Sequence, residues 1–239
     1  MYQLTQESLE RARSIGQVIL EHDQASAKGH QVIAAADYHL VWMGFAADRD
    51  QMRHEALHQV RDAIRLDDRD EYSQWTYGNI LAMLFGRYDE AVSAYREALE
   101  INPNFSLAYG SLGTALSLSG DADESIRNVE ISIRLNPRDP SLFFRYSALA
   151  MAHFAKGDYL KAKEWALRTI ARRSNWWLAH AVLVASLCHL GDNSSAQEAL
   201  HELLAIQPDR SLSTLPLPPM HRDQLNRLRQ GLLQAGMPA

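Results

Sequence analysis

The feature that most narrows the choice of fold is a periodicity of whole segments. Gly86, Gly120, Gly157 and Gly191 stand 34, 37 and 34 residues apart. In the same register each glycine is followed at five residues by a small side chain (Ala91, Ser125, Ala162, Ala196). At thirteen comes an aliphatic one (Leu99, Ile133, Ile170, Leu204), and at seventeen Pro103, Pro137, Ser174 or Pro208. Eight residues before them lie Gly78, Leu112, Leu149 and Leu183. A period of this length marks stacked supersecondary units. Within a unit the glycine ends one helix and turns the chain into the next. The small residue lets the two helices approach, and the aliphatic one buries against the neighbouring unit. Proline closes the second helix, because it has no N–H to donate and disfavours helical backbone in the residue before it. A helix pair of this kind cannot bury its apolar faces alone, so the pairs must stack. The expected fold class is all-α, an α-solenoid of antiparallel helix pairs.

These columns resemble the tetratricopeptide repeat (TPR). Trp75, Gly86, Tyr88, Ala91, Tyr95, Ala98, Leu99 and Pro103 stand at that family's signature spacings, as do Tyr109, Leu112, Gly113, Gly120 and Pro137. The resemblance implies a right-handed α-solenoid, the TPR superhelix. The third unit departs from it through three extra residues around Asp139-Pro140-Ser141 and through Ser174, and the fourth through Asn193 where an aromatic is usual. Upstream, Ala56, Val60, Ala63 and Ile64 occupy second-helix columns after a long first helix (about Lys28 to Phe45) and the loop 46–50. Ala12, Ile19 and Leu20 read as the second helix of a still earlier unit, as if the chain began partway through a larger array or after another domain. One domain over 1–239 is expected: a partial unit 1–26, a long unit 27–71, repeats 72–105, 106–139, 143–176 and 177–210, an extended linker 211–219, and a capping helix 220–236. Prolines at 216, 218 and 219 forbid helix in the linker. Leu225, Leu228 and Leu232 give the last helix one apolar face, expected to hide the end of the stack.

A narrower resemblance rests on the long first unit, on Ala63-Ile64-Arg65-Leu66-Asp67-Asp68, on Asn136-Pro137-Arg138-Asp139-Pro140 and on the tail 228–238. With these the chain is similar to the C-terminal TPR region that follows a class III adenylate cyclase domain, or a winged-helix DNA-binding domain, in bacterial regulators. That resemblance implies a module of a bacterial signalling or transcriptional regulator, or the regulatory part of a cyclase whose catalytic domain lies outside this chain. No catalytic residue carries over and no cofactor is implied.

Charge and motifs limit the other classes. With 24 Lys and Arg against 29 Asp and Glu, net charge -5, the chain lacks the dense basic surface that phosphate backbones require, so nucleic acid is not the expected partner. No apolar run approaches the length of a membrane span, and no secretory signal opens the chain. A cytoplasmic location is expected, and the single Cys188, in an apolar stretch, fits a reducing compartment. His54-Glu55-Ala56-Leu57-His58 matches a zinc-protease pattern on a helix. Ala56 falls in the small-residue column, however, which turns the imidazoles outward and leaves them at most an adventitious metal site. Arg168, Arg172 and Arg173 beside Trp176-Trp177 combine cations with aromatic faces. Cations also suit a helix C-terminus, and tryptophans suit a junction between units.

The expected function is therefore non-catalytic protein binding, with self-assembly also open. In TPR proteins the first helices line the concave side. The candidate groove residues are Ser73, Thr76, Ile80 and Met83, then Leu107, Gly110, Thr114 and Ser117, then Phe144, Ser147, Met151 and Phe154, with His189 beyond. This small, hydroxylic and apolar surface suits an apolar helix or extended peptide from a partner. Equally, helix packing or the chain's own Leu215-Pro216-Leu217 would fill it.

Overall fold

The computed structural model describes residues 5–239. They form helices α1 (Gln6–His22), α2 (Ala27–Trp42), α3 (Arg49–Leu66), α4 (Glu71–Asn79), α5 (Tyr88–Ile101), α6 (Ser106–Ser119), α7 (Ala122–Leu135), α8 (Leu142–Lys156), α9 (Tyr159–Arg172), α10 (Trp177–His189), α11 (Asn193–Ile206) and α12 (Arg222–Gln234). Helix α4 runs on into a π-helical stretch, Ile80–Leu84. Among the described residues there is no strand, and no helix is long and apolar enough to cross a membrane. The chain divides into two compact units, 1–111 and 112–239. In the first, α1 packs on α2, α2 on α3, and α4 on α5. In the second, each helix from α7 to α10 packs on its successor, and α12 packs on α10.

The sequence columns do what their chemistry requires. Gly157 takes φ 79°, its N–H donates to Phe154 O, and the Asp158 N–H reaches back to His153 O. These two bonds satisfy carbonyls that the end of α8 would leave bare. The Asp158 side chain then accepts the Lys161 N–H and starts α9. Gly191-Asp192 repeats this stop-and-start between α10 and α11. Ala91, Ser125, Ala162 and Ala196 are wholly buried. At the second of these crossings Ser125 Oγ donates to Gly113 O at 2.7 Å, and a Cβ on Gly113 would lie 2.4 Å from Val129 Cγ2. Helices α5, α7, α9 and α11 each end two residues before the proline column. Ser174 therefore stands after a helix end as the three prolines do.

The three extra residues before α8 have a structural use. Asp139 accepts from the Ser141 N–H and Oγ, each at 2.7 Å, and faces the Arg145 guanidinium at 3.5 Å. Arg145 also donates to Ser132 Oγ on α7 and to Ser141 Oγ. Both charged side chains are buried. Burial pushes the Arg145 guanidinium below its ordinary range, and Asp139 opposes the shift. The insertion thus supplies the counter-charge for an arginine inside the α7–α8 crossing.

The C-terminal segment departs from expectation. Residues 211–215 make a turn, with the Thr214 and Leu215 N–H groups both donating to Ser211 O, and the chain is irregular only from 216 to 221. Hydroxyls explain the difference: Ser211 and Thr214 bond locally and offer the backbone a turn upstream of the first proline. Breaking the buried pair with Asp139→Ala should lower the unfolding free energy by about 3 kcal/mol in urea titrations, since Arg145 would be left uncompensated. Adding Arg145→Met should recover most of that loss.

Candidate functional site

In the first unit the predicted groove positions on α4 belong to the core. Ser73, Thr76 and Ile80 are buried, as is Gly110, while Met83 and Leu107 are half-buried. Ser73 Oγ is taken up by its own N-cap, Asp70, at 2.5 Å. Trp75 Nε1 donates to Ser111 Oγ at 2.9 Å, joining consecutive first helices. The cavity in this unit lies elsewhere, between α1, α2 and α3. It has a volume of about 380 Å³ and is lined by Arg13, Ile33, Asp37, Glu55, His58 and Gln59. Arg13 Nε donates to Asp37 Oδ1 at 2.7 Å, and its Nη2 reaches Glu55 at 3.5 Å. Asp37 is wholly buried, and its Oδ2 has no hydrogen-bond partner. Burial raises its pKa to about 6, against the pull of Arg13.

In the second unit the first-helix surface is already occupied. Helix α12 crosses the C-terminal turns of α6, α8 and α10. The His221 N–H donates to Leu118 O at 2.7 Å, Gln224 Nε2 to Met151 O at 3.3 Å, and Arg227 Nη2 to Ala155 O at 2.7 Å. Leu118 and Ala155 sit in the last turns of α6 and α8, where carbonyls lack intrahelical partners and a cation is favoured. His189 Nε2 meets Arg227 O at 3.1 Å, and the imidazole stacks on Tyr159 at 4.4 Å. Gly231 lets α12 come close, since a Cβ there would lie 2.6 Å from Ala185 Cα. Gln224, Leu228, Gly231 and Leu232 form the buried ridge, and Leu225 is only half-buried. Beyond the helix, Gly236 donates to Leu233 O and Met237 to Leu232 O, with Met237 buried. Burying each of Leu228, Leu232 and Met237 contributes roughly 1.5–3 kcal/mol.

Four of the predicted residues therefore serve this seat or the core beneath it. Met151 lends its carbonyl, His189 its ring, and Phe154 packs on His189 with ring centres 5.8 Å apart. Ser147 is buried and accepts Trp176 Nε1 at 3.0 Å. Ser117 is buried with its hydroxyl on Thr114 O, Thr114 is half-buried, and Phe144 packs on Phe143 and Trp176. The main seat of α12 is α10, the first helix of the last hairpin. Sequence reasoning passed over Gln224, Arg227 and Gly231. The signal that points to them is α10 itself, apolar on every side, a pattern that requires cover all round.

The remaining motifs take structural places. His54 Nδ1 meets Asp50 O at 2.6 Å and His58 Nδ1 meets Asp62 at 3.2 Å, so each ring turns to its own helix. Among the described residues no three His, Cys, Asp or Glu converge as a metal site. Arg168, Arg172 and Arg173 lie over the rings of Trp165, Tyr146 and Phe143 at 4.5, 5.4 and 5.6 Å. Cys188 is buried, which raises its thiol pKa.

The Asp37 geometry generates a pH dependence with a defined sign. Its folded pKa of about 6 lies above the 3.8 of an unburied aspartate. The stability this adds is full below the unfolded value and is lost as pH rises through about 6. Hydrogen exchange of α2 should therefore slow as pH falls from 7 towards 4, after correction for intrinsic rates, by up to about 3 kcal/mol of opening free energy. Asp37→Asn should flatten that profile relative to the parent chain.

Comparison with known proteins agrees with this geometry. Residues 85–120 match the TPR repeat family. Over 83 residues, 35% of this chain, the sequence is 31% identical to small glutamine-rich tetratricopeptide repeat-containing protein 2 of Saccharomyces cerevisiae, and the match spans only 23% of that protein. A 131-residue stretch, 54% of this chain, is 25% identical to the photosystem I assembly protein Ycf3 of Cyanophora paradoxa and covers 72% of it. Among solved structures, YrrB, a TPR protein with an unusual peptide-binding site, aligns with TM-score 0.56 and 17% identity over 82% of this chain and 93% of its own. PilF of Pseudomonas aeruginosa aligns with TM-score 0.64 and 20% identity over 85% and 86%. The chain thus carries a tetratricopeptide repeat and has the all-helical fold of tetratricopeptide-repeat proteins, which act as protein-interaction scaffolds.

Proposed function

We propose that this chain is a non-catalytic interaction scaffold whose first-helix surface receives a peptide or helix from a partner protein. The observation that carries this reading is α12. It belongs to no repeat, yet it is seated across α6, α8 and α10 through main-chain carbonyls and a leucine ridge. A surface that accommodates one amphipathic helix has the shape and the acceptors for another. The similar fold of a TPR protein described as having a peptide-binding site supports the same reading. Placement as a module of a bacterial signalling or transcriptional regulator rests on the sequence resemblance of the long first unit, 63–68, 136–140 and the 228–238 tail.

The reading assigns no role to side-chain chemistry in the groove. Thr76 and Met151 are each 1% exposed, so substituting them would test the core and not the groove. A direct test is to select helical peptides against the full chain and map their photo-crosslinks by mass spectrometry. Adducts should fall on α6, α8 and α10, near Met151, Phe154 and His189. Adducts confined to α7, α9 and α11 would contradict it.

A further inference from the structure

The contacts of α12 say which helix would bind better than α12 does. Three of its polar ties end on main-chain carbonyls: the His221 N–H donates to Leu118 O, the Gln224 side chain to Met151 O and the Arg227 guanidinium to Ala155 O. The leucine ridge with Gly231 between Leu228 and Leu232 matches the close approach to Ala185. One position fits poorly. Gln224 is 1% exposed, and only its Nε2 is bonded, leaving Oε1 buried with no partner. An orphaned buried acceptor weakens an interface on the order of ten- to hundredfold, whereas an aliphatic side chain of similar size carries no such penalty. The segment from Gln207 to His221 contains no helix, only a turn and a proline-rich stretch, and is tied to the tail beyond α12 by the Leu212 N–H on Pro238 O at 2.8 Å.

From these features we infer that α12 is a displaceable ligand held in cis. Its replacement is an amphipathic helix with leucines and a glycine at the Leu228, Gly231 and Leu232 registers, an arginine at the Arg227 register, and an aliphatic residue in place of Gln224. This rests on the reading that the first-helix surface binds partners, and it adds the partner's chemistry and the competitor. Tethering gives α12 an effective concentration in the millimolar range, so a free helix has to bind far more tightly to displace it. The improved residue at the Gln224 register supplies part of that margin.

The test uses two labelled peptides spanning 221–237, one native and one carrying Gln224→Leu, titrated into the full chain by fluorescence anisotropy. Leu228→Asp releases α12, and Gly231→Leu, which drives a side chain into Ala185, is an independent release variant. Circular dichroism and thermal unfolding identify the variants that keep α6 to α11 folded. A third protein carries Asn193→Cys and Gln234→Cys, positions whose native side chains are bonded at 3.2 Å, joined by a short bis-maleimide to lock α12 down.

The Gln224→Leu peptide should bind the released proteins at least tenfold more tightly than the native peptide. It should bind the unmodified chain at least tenfold more weakly than the released proteins, and the locked protein not at all. Equal binding to released, unmodified and locked proteins would put the peptide elsewhere and overturn the displacement. Equal affinity of the two peptides for the released proteins would overturn the assigned partner chemistry while leaving the surface a helix-binding one. Folded released proteins that bind neither peptide would overturn the reading of the surface itself.

Discussion

A helix that is apolar on every side has to be covered on every side, and α10 is such a helix. From Ala179 to Cys188 every residue is buried, including His180 and Ser186. Neighbouring repeat helices α9 and α11 cover part of its circumference, and α8 touches it across the stack. The remaining face would lie open to water without α12. That one requirement gives α12 its place: an amphipathic helix returns across α6, α8 and α10, and its glycine falls where Ala185 demands close approach.

The requirement also orders the functional reading. Repeat proteins divide their residues between those that stack one hairpin on the next and those that face a ligand. Here Ser147, Met151 and Phe154 serve the stacking, and what α12 touches is chiefly the carbonyl ends of first helices. Those carbonyls recur with the repeat because every first helix ends at the same column. A ligand that reads them reads the architecture, with side chains adding a leucine ridge and an arginine beside a helix terminus.

Much of the fold was legible in the sequence because its cues are local or strictly periodic. Gly157 and Gly191 followed by aspartate state where one helix stops and the next starts, and Ala91, Ser125, Ala162 and Ala196 mark the crossings. The seat of α12 was less legible, because an amphipathic helix announces that it will bury a face and not against what. The groove candidates suffered from the same limit. Helical spacing puts Thr76 and Met151 on one side of their helices, yet whether that side meets water depends on contacts far away in the chain, such as that from Gln224 to Met151. The Asp139–Arg145 pair was hidden similarly: the three-residue insertion was visible, and its purpose was not, since the counter-charge it supplies is buried.

The cover of α10 by α12 is most directly measured as a distance in solution. Spin labels at Asn193 and Gln234, whose side chains meet in the folded chain, should give a single short and narrow distance distribution by pulsed electron resonance. A broad distribution centred at long distance would show α12 detached, and the account of a first-helix surface filled by its own chain would be wrong.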